Sequence, residues 1–363
     1  MRDLFFTMVE RGASDAVLVV GRPADLNVDG VHTPWGEEIS PAYMDEFLHY
    51  LLDEHQQAQL NRERKLMFAN TGGVRNASFR ITLYYERGRL AASIRQIPTL
   101  IPSLDQLDAS SAMEQFALAK RGLVLICGAS GQGKSTTLAA MLATRARLRA
   151  GHIQTIEDPL EYWIPHGMSV VSQREVGWDA PSWEEALSDA VRMNLDCLAI
   201  GEIQTERHAA LALRFAMAGH LAMATFHASN VQAAVTRFID MADESDQGNA
   251  RADVAECLQA VICQRLVRLK DGSRRAVFEV LTNVRPIADL IRDNRDGEIL
   301  DYLRRNQRAG LEPFERNLAN LCETGLIDTE AAMRASDAPA VLYEALAERG
   351  LARVDRTLDI RVD

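Results

Sequence analysis

The sequence predicts an α/β protein: a central domain built on a mainly parallel sheet covered on both faces, a smaller α+β domain ahead of it, and a helical region behind. Three observations carry this reading. From about residue 121, short apolar segments alternate with helical stretches: LVLIC (123–127), HIQTIE (152–157), DCLAIGE (196–202) and HLAMATFH (220–227). Strands buried on both faces read as such runs, and their alternation with helices implies a parallel sheet. Before residue 100 the pattern is different, because FRITLYYERG (79–88) and LAASIRQIP (90–98) alternate with the two-residue period of half-buried strands. Beyond residue 284 the sequence becomes largely helical, charged on one face and apolar on the other.

Taken in order, LFFTMVERG (4–12) predicts a short helix. AVLVVG (16–21) and DLNVDG (25–30) predict strands separated by a turn at Gly21, Arg22 and Pro23. A second helix is expected over 41–59, followed by the two alternating strands joined near Gly88. Pro98 and Pro102 punctuate the end of this module. The expected organisation is an amino-terminal domain at 1–98, a linker at 99–110, the α/β domain at 111–285 and the helical region at 286–363. At 363 residues the chain is long enough for about two domains of ~150 residues, and its apolar fraction of 47% fills a sizeable core.

The formal charge is −11, which argues against broad binding of a phosphate backbone and hence against a nucleic-acid partner. No run approaches the roughly 18 apolar residues of a membrane span. The opening MRDLFFTMVERG mixes charges into its apolar residues and lacks a signal-peptide core. The expectation is a soluble cytoplasmic protein without membrane insertion. The five cysteines form no C-x-x-C pair, so neither a disulfide framework nor a zinc module is expected. No internal repeat or low-complexity tract is present.

The most informative stretch is GASGQGKSTT (128–137), between an apolar strand and a helix. It fits G-x-x-x-x-G-K-[ST] at Gly128, Gly133, Lys134 and Ser135. Glycines let backbone N–H groups turn inward around phosphate oxygens, and the following helix points its positive end at the same anion. The ligand this predicts is a nucleoside triphosphate, ATP, held by Gly128, Ser130, Gly131, Gln132, Gly133, Lys134, Ser135 and Thr136. Lys134 is expected to neutralise the β and γ phosphates, and Ser135 to ligate Mg²⁺.

Hydrolysis also needs a group that positions water. CLAIGE ends in Glu202, the candidate general base, but the position before it is Gly201, where many phosphate-loop proteins carry an aspartate. The acid on the Mg²⁺ side must come from elsewhere, and TIEDPLE (155–161) offers Glu157, with Asp158 a weaker alternative. A parallel sheet delivers both strand ends to its carboxyl edge, beside the loop. His227 ends the fourth strand and is a candidate sensor of the γ-phosphate. His220, at the start of that strand, is a candidate to orient Glu202 or a backbone group. Arginine can stabilise charge on the phosphoryl group from the same or a neighbouring subunit. The candidates are Arg80, Arg87, Arg89, Arg95, Arg174 and Arg192, the cluster on the 79–98 hairpin being the most suggestive.

With these residues in hand, the chain resembles the PilT/PilU-type ATPases, the retraction motors of type IV pili, within the secretion ATPase superfamily. GASDAVLVVGRPADLNVDG (12–30) looks like the opening of the family's amino-terminal domain. GASGQGKSTTLAAM is similar to its Walker A segment, TIEDPLEY to its aspartate box and SQREVG to the signature that follows. IGEIQT is similar to its Walker B, AGHLAMATFHA to its histidine box and ADLIRDN (288–294) to its retraction-type carboxy-terminal motif. RGLV, GHIQTIEDPLEY and the tail 311–339 look closer to PilU than to PilT. The resemblance implies a RecA-like core, a PAS-like amino-terminal domain and a ring of six with ATP between subunits. It makes Arg80 and Arg95 the best fits for arginines that reach the phosphates across a subunit boundary. It further implies docking on an inner-membrane pilus platform protein, withdrawal of pilin subunits driven by hydrolysis, and mixed action with a paralogous retraction ATPase.

The chain also departs from the family pattern. Ala129 and Ser130 stand where proline and threonine are usual. Gln204 and Thr205 replace the arginine and aspartate that follow Walker B in PilT relatives. Ser188 stands where an arginine is common, and Asn194-Leu195 where Asp-Pro is usual. The lost charges around Walker B leave three readings open: an independent or accessory retraction motor, a nucleotide-binding regulatory ring subunit with little hydrolysis, and a related ATPase of secretion or a specialised pilus.

Overall fold

The computed structural model describes residues 2–28, 30–70, 73–74, 77–97, 100–242 and 247–351. Pro98 and Thr99, where the expected linker begins, and the tail from 352 lie outside the described residues. The chain divides into two compact units: Met1–Ile101 with Leu160–Trp163, and Pro102–Pro159 with Ile164–Asp363.

The first unit contains α1 (Arg2–Arg11), β1 (Ala13–Val19), β2 (Ala24–Val28), β3 (Val31–Trp35), α2 (Pro41–Leu51), α3 (Glu54–Glu63), β4 (Lys65–Asn70), β5 (Ser78–Glu86) and β6 (Arg89–Ile97). Its six strands form one antiparallel sheet in the order β3-β2-β1-β6-β5-β4. Leu4, Phe5 and Met8 of α1 and Met44 and Phe47 of α2 are buried, and Phe5 packs on Phe79 with ring centroids 4.8 Å apart. The β5–β6 hairpin turns at Arg87 and Gly88, both at positive φ (49° and 76°), the two-residue turn whose twist matches its strands. The single helix expected over 41–59 is instead two. Asp53 accepts from the Gln56 amide at 2.8 Å while the Gln56 side chain accepts from the Asp53 amide at 2.9 Å, a capping box that starts a new helix. β3 and β4 were not expected. Both are edge strands, and Pro34 and Lys65 are edge residues that weaken a strand signal.

The second unit contains α4 (Ser111–Ala117), β7 (Gly122–Cys127), α5 (Lys134–Leu148), β8 (Gly151–Glu157), β9 (Ser169–Glu175), α6 (Trp183–Arg192), β10 (Cys197–Ile200), α7 (Glu206–Met217), β11 (Leu221–Phe226), α8 (Val231–Asp240), α9 (Gln247–Cys257), β12 (Leu258–Arg268), β13 (Arg274–Thr282), α10 (Arg285–Arg292), α11 (Ile299–Arg305), β14 (Leu311–Glu312), α12 (Phe314–Glu323), α13 (Thr329–Ala335) and α14 (Pro339–Glu348). Eight strands form one sheet in the order β14-β13-β12-β7-β11-β10-β8-β9. The run from β12 to β9 is parallel, while β13 and β14 are antiparallel additions. Every residue of β7, β10 and β11 is buried, which is why these strands read as unbroken apolar runs. The register pairs Phe226 with Cys127 and Ile200 with both Ala224 and Ile156. The ends of β7, β8, β10 and β11 therefore emerge at one edge. No helix among the described residues is long and apolar enough to cross a membrane.

One buried acid ties the added strands to the parallel core. Glu279 on β13 is 3% exposed, accepts from the Val231 amide at 2.8 Å and also meets the Phe314 amide, the first residues of α8 and α12. Burial pushes its carboxyl up to about 7. Because that lies above the ~4.3 of an exposed glutamate, the protonated form stabilises the fold. The contribution is complete below the unfolded pKa and is lost as pH rises through the folded one. Thermal and urea unfolding between pH 5 and 8 should therefore lose roughly 2 kcal/mol with rising pH in the wild type, and Glu279→Gln should flatten that part of the slope.

Candidate active site

The loop between β7 and α5 is shaped by what glycine permits. Gly131 and Gly133 sit at φ 75° and 83°, in the left-handed region. A Cβ on Gly128 would fall 2.7 Å from the Gln264 carbonyl oxygen of β12. Gly133 is the N-cap of α5, and no side chain caps it, so the amide end of the helix faces the loop without a protein acceptor of that kind. The Gln132 carbonyl accepts from Gln264 Nε2 at 2.5 Å, and its Oε1 accepts from the Leu266 amide at 2.6 Å. Both bonds fasten the loop to β12. Ser130 and Gly131 are exposed at the tip, while Ser135 and Thr136 lie half-buried in the first helical turn.

Lys134 is 8% exposed, and its ammonium donates to the carbonyls of Gly128 (3.0 Å) and Ala129 (3.2 Å). It lies 3.9 Å from Glu202 Oε1. The same carboxylate oxygen lies 2.7 Å from His227 Nε2, and Glu202 Oε2 accepts from Gln204 Nε2 at 2.9 Å. The strand ends thus bring Lys134, Glu202 and His227 together. His227 meets the acid itself. His220 is placed elsewhere: its carbonyl pairs with the Gly122 amide at the opposite edge of the sheet and its ring packs on Phe215. A strand's length separates it from Glu202, and it orients neither Glu202 nor the loop.

Gly201 has a geometric explanation. A Cβ there would lie 3.2 Å from the Glu157 Cα and 3.3 Å from the Ile156 carbonyl oxygen. Glu157 from the neighbouring strand fills the space that a side chain at 201 would need. Its Oε1 accepts from Thr155 Oγ1 at 2.6 Å and from Gln173 Nε2 at 3.2 Å. Asp158 is exposed. A buried ammonium beside a helix start whose N-cap is glycine fits a phosphorylated ligand. The Ser135 hydroxyl and the Glu157 carboxylate are oxygen donors of the kind Mg²⁺ takes.

Arg80 and Arg95 belong to the first unit, where they pair across β5 and β6. Arg80 Nη2 donates to the Leu160 carbonyl at 2.7 Å, and Arg95 Nε donates to Asp15 Oδ1 at 2.7 Å with its side chain 64% exposed. Together with Gln96, Ile97, Glu161 and Tyr162 they line a cavity of about 190 Å³ in that unit. Arg174 is engaged with Asp189 and with the Asp179 carbonyl. Residues not anticipated from the sequence are Thr155, Gln173, Gln204 and Gln264. The available signal for Gln264 was a glutamine inside the apolar run LQAVICQRLV, where a buried polar group needs partners.

Fold and site define the class, a phosphate-loop nucleotide hydrolase on a mainly parallel sheet. The type II/IV secretion system protein family matches residues 95–313, and the chain belongs to it, in the branch of PilT/PilU-type ATPases. The type IV pilus ATPase PilU of Pseudomonas aeruginosa is 37% identical over 333 residues, which are 91% of this chain and 87% of PilU. The type IV pilus retraction ATPase PilT of the same organism is 29% identical over 342 residues, 93% of this chain and 98% of PilT. The crystal structure of the pilus retraction motor PilT with bound ADP matches with a TM-score of 0.86 at 31% identity, over 94% of this chain and 98% of that one. The resemblance read from the Walker, aspartate-box and histidine-box segments is borne out, as is the mixed α/β fold.

Gly128→Ala tests the loop's fastening. Its Cβ meets backbone rather than a mobile side chain, so unfolding by urea should show a loss of about 1–3 kcal/mol from overpacking.

Proposed function

We propose that this chain is a Mg²⁺-dependent ATPase motor that works as a ring of six and powers type IV pilus retraction, as a PilU-like partner of a paralogous retraction ATPase. The observation that carries the catalytic part is the Glu202 carboxylate, aimed by His227 and Gln204 and standing 3.9 Å from the phosphate-loop lysine. The similarity to PilU and PilT along nearly the whole chain supports the cellular role.

The loop amides of residues 128–136 receive the triphosphate. The Lys134 ammonium exchanges the Gly128 and Ala129 carbonyls for β- and γ-phosphate oxygens, a trade of neutral acceptors for charged ones. Ser135 and Glu157 would hold Mg²⁺, which when bound neutralises charge on the phosphate oxygens. Glu202 orients a water against the γ-phosphorus and takes its proton. The bond from phosphorus to the ADP oxygen breaks as the new bond to the water oxygen forms. His227, on Glu202 Oε1, keeps the base in position and is placed to pass that proton on. Arg80 and Arg95 act on the triphosphate of a neighbouring subunit in the ring. The ring works from the cytoplasmic face of the inner membrane against the pilus platform protein.

A second reading, a regulatory ring subunit with little hydrolysis, is favoured by Gln204, whose amide occupies Glu202 Oε2 where PilT relatives carry an arginine. Purified protein distinguishes the two. Under the motor reading, Lys134→Ala abolishes ATP binding, and Glu202→Gln binds ATP but turns over roughly 100-fold more slowly or worse. Light scattering with nucleotide gives the mass of six copies, and a strain lacking the protein has altered pilus retraction. Tight ATP binding with equal, negligible turnover in wild type and Glu202→Gln, also with the paralogue present, would select the regulatory reading.

A further inference from the structure

SQREVG has no part in the mechanism above, yet one of its side chains reaches the acid on the Mg²⁺ side. β9 runs parallel to β8, with Gln173 beside Thr155 and Glu175 beside Glu157. The Gln173 amide is fixed at both ends. Its Oε1 accepts from the Ile164 backbone amide at 2.7 Å, and its Nε2 donates to Glu157 Oε1 at 3.2 Å. A backbone N–H can meet only the oxygen of a glutamine amide and an ionised carboxylate only the nitrogen, so both bonds select the same orientation.

We infer that Gln173 is a positioning residue for Glu157, bridging its carboxylate to the backbone amide of Ile164. This rests on the reading of Glu157 as the acid on the Mg²⁺ side. Thr155 bonds the same oxygen, but it stands two residues away on the same strand and moves with Glu157. Gln173 fixes the carboxylate against a different strand and a different stretch of chain. Ile164, buried in the second unit, is where the chain re-enters that unit after residues 160–163, which group with the first. The bridge therefore sets Glu157 in place before nucleotide arrives.

The test compares Gln173→Ala, Gln173→Glu and Glu157→Ala in the full chain, reading the Mg²⁺ dependence of binding of a fluorescent ADP analogue as well as turnover. Nucleotide binding without Mg²⁺ reports the phosphate loop and should be unchanged in all three. For Gln173→Ala, half-saturating Mg²⁺ should rise roughly tenfold, as for partners that orient metal ligands, with kcat lowered and KM kept. Gln173→Glu keeps an oxygen for the Ile164 amide but offers Glu157 a second carboxylate in place of a donor. It should lose at least as much. If Gln173 only anchors Ile164, Gln173→Glu behaves as wild type, and that overturns the inference. Wild-type Mg²⁺ dependence in Gln173→Ala together with a raised requirement in Glu157→Ala also overturns it. A Glu157→Ala protein with unaltered Mg²⁺ dependence removes instead the underlying role of Glu157. Should Gln173→Ala fail to fold, Gln173→Asn, one methylene too short to span both partners, gives the same reading.

Discussion

A loop that keeps its amides for a ligand must be held in shape by something other than those amides. This constraint organises the active edge. The segment from Gly128 to Gly133 makes little hydrogen bonding within itself, and strand β12 holds it from outside through the two bonds of Gln132 and the close passage of the Gln264 carbonyl over Gly128. Lys134 closes the arrangement from within by folding back on the carbonyls of Gly128 and Ala129. An ammonium buried this deeply is stable only with oxygens around it, so the lysine and the loop's carbonyls depend on each other. The order of strands follows from the same need. β12 must flank β7 to support the loop on one side, and β11 flanks it on the other to bring His227 and, one strand further, Glu202.

Two carboxylates at neighbouring strand ends repel each other, and the site answers with different surroundings for each. Glu202 faces a lysine, a histidine and an amide. Glu157 receives two neutral donors on one oxygen. Neutral donors fix the direction of a carboxylate, which suits a group read as the acid on the Mg²⁺ side. The neighbours of Glu202 fix both of its oxygens in direction, which suits a group that must aim at a water. Gly201 lets the two strand ends approach closely enough for this division to exist, and Thr225 Oγ1 donates to its carbonyl from the far side.

Much of this was legible in the sequence, for reasons that vary by element. The buried strands β7, β10 and β11 were readable because burial on both faces favours uninterrupted apolar residues. The phosphate loop was readable because its glycines and lysine are dictated by local chemistry. β9 was not read as a strand: as the edge of the sheet it carries Ser172, Gln173 and Arg174 among its few apolar residues. β12 and β13, a long antiparallel hairpin, were not read as strands, because the reading of this domain rested on short apolar runs alternating with helices. The division at Asp53 was written in the Asp-x-x-Gln spacing and was overridden by the helical pattern on either side. Glu202, Glu157 and His227 were singled out by their places at strand ends. Gln173, which holds Glu157, was not, because its partner depends on which strands become neighbours, and the sequence does not state strand order.

The departures from PilT-type sequence acquire physical content in the structure. Thr205 replaces an aspartate yet still serves as the N-cap of α7, accepting from the His208 amide at 3.3 Å, so a structural duty is kept while a charge is lost. Leu195 stands where proline is usual and is buried in the apolar core. Gln204 stands where PilT relatives carry an arginine and donates to Glu202 without a positive charge. Thr205 and Gln204 thus keep hydrogen bonds at these positions while carrying no charge. Geometry of this kind preserves the ability to bind and close around a nucleotide, which depends on fit. Reduced positive charge beside the base lowers the stabilisation of charge that builds in the transition state, which is where turnover is decided.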